Sequence, residues 1–234
     1  MGAGNGAVRA GLVRLANRGK VRQVTDAEEV ARKVRDAGVE AHVVTNYGWP
    51  GQTELALVDS VMSIRARYGT DTSGVLGRVL RYRSSTERRP LNDLSEFARL
   101  DPQELRALLG SQRSGGRLKS EICLEVAQRL VDAGVSKSAD LRPINPAQKR
   151  AWTGTVGLGW ITWEYFTMLL GHPGVKADTM INRFVSDAFG LDTVTVDAKR
   201  AHAAVTGAAK ILGVEVRDLD HAIWRHESGR PARR

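Results

Sequence analysis

The sequence predicts an all-α fold. Apolar residues recur at helical spacing along most of its 234 residues, these stretches open on capping residues and close on glycine, and strand signals are almost absent. In chain order, Thr25-Asp26-Ala27-Glu28 fits a capping box, and Gly38 closes the helix that it starts. Residues 53–68 read as a central, nearly buried helix, with Leu57, Val61, Ile64 and Tyr68 on one face and Leu55, Val58 and Met62 beside them. Further helices are expected near 72–83, 92–99 and 102–109, the last with an Asp101 cap, Pro102 in its first turn and Gly110 past its end. Another spans 117–133 and stops at Gly134. Asn145-Pro146 opens the next, which a glycine turn separates from a helix over 161–170. Helices at 179–189, 196–212 and 216–227 complete the chain, the first two stopped by Gly190 and Gly213, and only residues 39–44 are expected to extend briefly.

Composition narrows the function. The 35 Lys and Arg exceed 26 Asp and Glu, and a net charge of +9 favours a polyanionic partner bound with salt-sensitive affinity, although an ordinary basic domain has the same balance. The lone Cys123 excludes a disulfide framework and a four-thiolate metal cluster. His42, His172, His202, His221 and His226 have no metal-ligand spacing with Cys or acidic partners, so neither a metal nor a cofactor is expected. Without a long apolar run or a signal peptide, the expectation is a soluble intracellular protein with no membrane partner. Residues 1–24 and 228–234 are rich in glycine and cations and read either as basic arms that add contacts to such a polyanion or as frayed termini around a domain at 25–227.

Chemistry concentrates between residues 152 and 185. Gly157 and Gly159 set backbone N–H groups at the start of a helix, where phosphate binds, and Asp178 opens the next amphipathic stretch one helix length later. A carboxylate so placed can face a sugar held by the turn, although Asp-Thr-Met-Ile is also an ordinary helix start, and the two roles are compatible.

This segment resembles the helix-hairpin-helix DNA glycosylase superfamily. The family hairpin, approximately Leu-Pro-Gly-Val-Gly-x-Lys-Thr-Ala, aligns with Thr155-Val156-Gly157-Leu158-Gly159-Trp160-Ile161-Thr162-Trp163, and the catalytic Val-Asp-Thr-His-Val-x-Arg run aligns with Ala177-Asp178-Thr179-Met180-Ile181-Asn182-Arg183. Residues 57–67 look like the family's early core helix, and Leu219-Asp220-His221-Ala222-Ile223-Trp224 is similar to the last helix of several members. The likeness runs from about residue 50 to 226 and is strongest in its central third.

The resemblance implies a two-lobed fold with a cleft between a central helical barrel and a lobe built from both chain ends, the hairpin occupying 152–171. The implied partner is double-stranded DNA, bound by a monomer in the nucleoid; the iron–sulfur cluster that some members carry is not expected here, because Cys123 is the lone cysteine. The target nucleotide rotates out of the stack, and Asp178 stabilises positive charge on the sugar while directing water to it. Gly157, Gly159, Thr162 and Lys119 fall where members grip the DNA backbone, and Arg65 falls at the wedge that fills the gap left by the flipped base, although an arginine at a helix end is also an ordinary surface residue. Bifunctional members carry a lysine where Ile161 stands, so a monofunctional glycosylase is implied, with Lys176 and Lys199 read as surface residues. Ile161, Tyr165 and Met168 share a helical face, read as a base-stacking wall suited to a positively charged alkylated base, although such a stripe also describes core. Two alternatives stay open: a noncatalytic DNA-binding protein on the same scaffold, kept alive by Thr155-Val156 and by Met180 in place of histidine, and a helical interaction protein whose charge is incidental.

Overall fold

The computed structural model describes residues 24–45, 47–193 and 195–229. The expected terminal arms lie almost wholly outside these residues. The fold is all-α, with one two-stranded hairpin among the described residues.

Two hydrophobic cores organise the chain. The first is built from the middle, by α2 (Thr53–Met62), α3 (Gly74–Ser84), α4 (Leu94–Ala98), α5 (Pro102–Leu109), α6 (Lys119–Asp132), α7 (Pro146–Thr153) and α8 (Trp160–Leu169). The second joins the chain ends: α1 (Asp26–Asp36) packs against α9 (Thr179–Ala188) and α10 (Ala198–Leu212), and α11 (Val216–Glu227) packs on the same two helices. The expected capping box holds α1: Thr25 Oγ1 accepts from the Glu28 N–H at 3.3 Å, and the Thr25 N–H donates to Glu28 Oε2 at 2.9 Å. Small residues on α10, including Ala201, Ala204 and Ala208, are buried and bring the neighbouring backbones close.

α2 is buried along its whole length. Such a helix must satisfy its polar side chains internally. Glu54 takes the Arg88 guanidinium at 3.2 and 3.1 Å, the Asp93 N–H at 3.0 Å and the Tyr82 hydroxyl, and Ser60 bonds the Ala56 carbonyl.

Two expectations are corrected. The helix expected over 53–68 ends at Met62, because the Lys119 amine takes the carbonyls of Met62 at 2.9 Å and Ile64 at 2.6 Å and the chain turns through Arg65 at φ 48°. Residues 39–44 form no strand: Val39–His42 is a short 3-10 turn after Gly38, which sits at φ 65°, and the extended backbone begins only at Val43. The small hairpin of β1 (Arg113–Ser114) and β2 (Arg117–Leu118) was not expected. Two-residue strands have no periodicity to reveal them.

Candidate active site

α7 and α8 form the helix-hairpin-helix. Asn145 caps α7 reciprocally with Gln148, and Gly159 caps α8. Gly157 has φ 94°, where a β-carbon is strained, and an added Cβ would lie 3.4 Å from Ile122 Cδ1 and 3.6 Å from Ser114 Oγ. The turn is thus seated against the β1–β2 hairpin. Trp152 and Trp163 are buried behind it, whereas Trp160 is half-buried against the chain-end core.

The hydrogen bonds of this turn alter two expectations about DNA contacts. Thr162 Oγ1 accepts from the Gly159 N–H at 3.0 Å and the Trp152 indole N–H at 2.9 Å, and donates to the Gly159 carbonyl at 2.7 Å. The Gly159 amide and the Thr162 hydroxyl are therefore spent on holding the hairpin. The N–H groups of Gly157, Trp160, Ile161 and Thr162 make no hydrogen bond among the described residues and form the open amide set at the start of α8.

A cavity of about 860 Å³ lies between the two cores. α8 supplies Tyr165 and Met168 to its lining, as the helical face predicts, but Ile161, one turn nearer the hairpin, is not among the lining residues. An aromatic wall stands on another side: Tyr47 stacks on His221 with ring centres 4.0 Å apart, His221 lies parallel to Trp224 at 5.9 Å, and Tyr68 meets Trp224 edge-on. Gly48 lets this wall close on α8, since a Cβ there would approach the Leu169 carbonyl oxygen to 2.6 Å. Burial, then Arg225 and Arg217, pushes the His221 imidazole down to about 4, so at neutral pH it is an uncharged stacking surface.

Asp178, Lys176 and Asp220 line the cavity together, and Asp59 lies behind its Tyr165 wall. Asp178 is the N-cap of α9, accepting from the Met180 N–H at 3.0 Å and the Ile181 N–H at 3.5 Å, and its Oδ2 lies 3.8 Å from the Lys176 amine. Its side chain keeps 28% exposure and lines the cavity, so the cap and an open carboxylate coexist. Lys176 also lines the cavity, its amine 3.5 Å above the centre of the Tyr165 ring and 3.5 Å from Ser63 Oγ, which corrects the reading of this lysine as a surface residue. The same contact puts a cation over the Tyr165 ring, the surface that the sequence reading offers to a cationic alkylated base. Asp220, on α11, is 5% exposed and accepts the Lys176 backbone N–H at 2.9 Å. Burial, then Asp178, raises its carboxyl to about 8, with Lys176 opposing. Asp59 lies beneath Tyr165 and receives the Trp49 indole at 2.8 Å and the hydroxyls of Tyr68 and Tyr165 at 2.9 and 3.0 Å. Burial raises its pKa despite these donors.

The cations expected to touch DNA divide. Arg65 is exposed, lines the cavity, adopts a left-handed conformation unusual for a non-glycine residue, and has no hydrogen bond or ion pair among the described residues. Lys119 is a correction: it is 2% exposed and its amine is committed to the end of α2, out of reach of phosphate. Sequence reasoning missed Lys176, Asp220, Asp59 and the Tyr47–His221 stack. Only Asp59 carried a signal, as an acid inside an otherwise apolar run.

The family model that matches the chain covers residues 28–228 and is described as a domain of unknown function (DUF8548). The chain belongs to this family. No curated protein matches it by sequence. Among solved structures it is similar to the crystal structure of the Methanocaldococcus jannaschii 8-oxoguanine DNA glycosylase (MjOgg), with a TM-score of 0.51 and 14% identity over 89% of this chain and 87% of that one. Likeness at that identity speaks for the fold. This DUF8548 protein therefore has an all-α, glycosylase-like helix-hairpin-helix architecture, and no helix among its described residues is long and apolar enough to cross a membrane.

Proposed function

We propose that this DUF8548 protein is a DNA glycosylase that rotates a damaged nucleotide into the cavity between its cores and releases the base by hydrolysis. The observation that carries this is the Asp178 carboxylate on the cavity wall, at the start of a helix and beside Lys176, with the open amides of the hairpin at the head of the same α8 that supplies Tyr165 and Met168. From Trp160 to Tyr165 the helix rises about 8 Å, a distance that lets one strand rest on the hairpin while its flipped nucleotide enters the cavity. As the C1′–N bond stretches, positive charge on the sugar is stabilised by Asp178, which also directs water.

Ile161 leaves the hairpin helix without an amine, and the Lys176 amine is held by Tyr165, Asp178 and Ser63. We therefore assign water as the nucleophile, with an abasic site and no strand cleavage as the outcome. Arg65, at the cavity rim, fills the gap in the duplex. The similar fold of the Methanocaldococcus jannaschii 8-oxoguanine DNA glycosylase supports this reading.

Incubation of duplexes carrying single oxidised, deaminated or alkylated bases, followed by hot alkali, tests it. Release of at least one base is expected, and Asp178→Asn should abolish release while retaining duplex binding. Salt-sensitive binding without release across the panel would leave a noncatalytic DNA-binding protein.

A further inference from the structure

We propose that Asp220 donates the proton that the departing base needs, and that the excised base is consequently a neutral one. This rests on the glycosylase reading above. Asp220 lines the cavity from α11, almost wholly buried, with Oδ1 holding the Lys176 N–H and Oδ2 free of hydrogen bonds among the described residues. An acid in that position is kept protonated by its surroundings. Asp178 and Lys176 face it from the segment before α9 and Tyr47 from the loop before α2, with Arg217, Asp218 and His221 beside it on its own helix. Burial and the Asp178 charge raise its carboxyl to about 8, and Lys176 does not offset them. Tyr47 is pushed up and His221 down, so neither is charged near neutrality.

Two carboxyl groups in one cavity thus divide the work, one holding a proton and the other exposed to the sugar. In the reaction the C1′–N bond breaks with its electron pair passing to the base. The Asp220 proton moves to the base, on the ring nitrogen or a conjugated oxygen. Water adds to C1′ and gives its proton to Asp178, from which solvent returns one to Asp220. One water is consumed and no other reactant is needed. A base already positively charged leaves without this proton and would enter beside the Lys176 ammonium, which is why a neutral base fits.

Single-turnover release from duplexes carrying 8-oxoguanine or hypoxanthine as neutral bases, and 7-methylguanine as a cationic one, tests the assignment. For the wild type, release of a neutral base should fall as pH rises past about 8. Asp220→Asn should slow neutral-base release by about 100-fold, in line with loss of a general acid, remove that alkaline limb, and lower the ratio of neutral to cationic release by a similar factor. Asp220→Glu should recover the limb. Asp178→Asn should lose both kinds of base. An Asp220→Asn enzyme that slows every base alike, or keeps the alkaline limb, overturns the assignment, as does a wild type that releases 7-methylguanine alone. A wild type that binds duplex but releases no base overturns the glycosylase reading itself, and the Asp220 assignment with it.

Discussion

Replacing Asp220 by asparagine should stabilise this protein near neutral pH. In the folded chain its carboxyl titrates at about 8 against an ordinary value of 3.8, so at pH 7 the folded state holds a proton that the unfolded chain releases. A raised folded-state pKa on an acid lowers stability as pH climbs from the unfolded value to the folded one. With about 1.36 kcal/mol per pH unit, the burden at pH 7 is about 4 kcal/mol, at pH 5 about 2 kcal/mol, and beyond pH 8 it levels off at about 6 kcal/mol. Asparagine keeps the shape and the acceptor for the Lys176 N–H but has no proton to lose. Urea denaturation of both proteins at pH 5, 7 and 8.5 reads the difference directly. The stabilisation should grow across the three values, at the expense of base release, the usual trade between a strained site and a stable one. A stability difference that is independent of pH, or a variant less stable than wild type at pH 7, would refute the assignment of a protonated Asp220.

Other perturbations separate structural from DNA-facing groups. Lys119→Met should cost roughly 2–4 kcal/mol in chemical denaturation by leaving the Met62 and Ile64 carbonyls without a donor, yet leave the slope of duplex affinity against salt concentration unchanged; a slope reduced by about one charge would restore Lys119 as a phosphate contact. Arg65→Gly should raise stability by about 1 kcal/mol, since glycine accepts the φ of 48° without strain, while slowing base release; lower stability would argue against strain there. Gly157→Ala should cost about 1–2 kcal/mol from its positive φ and its crowding against Ile122 and weaken duplex binding in fluorescence anisotropy. Unaltered binding by that variant would remove the hairpin from the DNA interface.

Much of the architecture was legible because it is written locally. The capping box at Thr25, the Asn145-Pro146 start and the stops at Gly110, Gly134 and Gly213 mark helix ends within a few residues, since the groups that satisfy a helix terminus come from its own sequence. The Gly157–Gly159 turn and Asp178 were visible for the same reason, each being a short-range pattern. The end of α2 was not: the donor that stops it, Lys119, arrives from α6, more than fifty residues away. Gly159 and Thr162 are expected as DNA contacts because they align with the hairpin positions at which members of the resembled family grip the DNA backbone, and sequence alone does not reveal that they bond each other.

The sequence by itself determined the helical class, the basic charge and the order of hairpin then carboxylate, because period, capping and charge are properties of neighbouring residues. Only the tertiary structure decided the environment of that carboxylate. Lys176, Asp220, Asp59 and Tyr165 come from four separate segments, and their protonation and reach depend on burial and on distances of 3–4 Å between them. Desolvation and Coulomb interactions depend on three-dimensional separation, which is why this cluster emerged only when the chain's two ends closed against its middle.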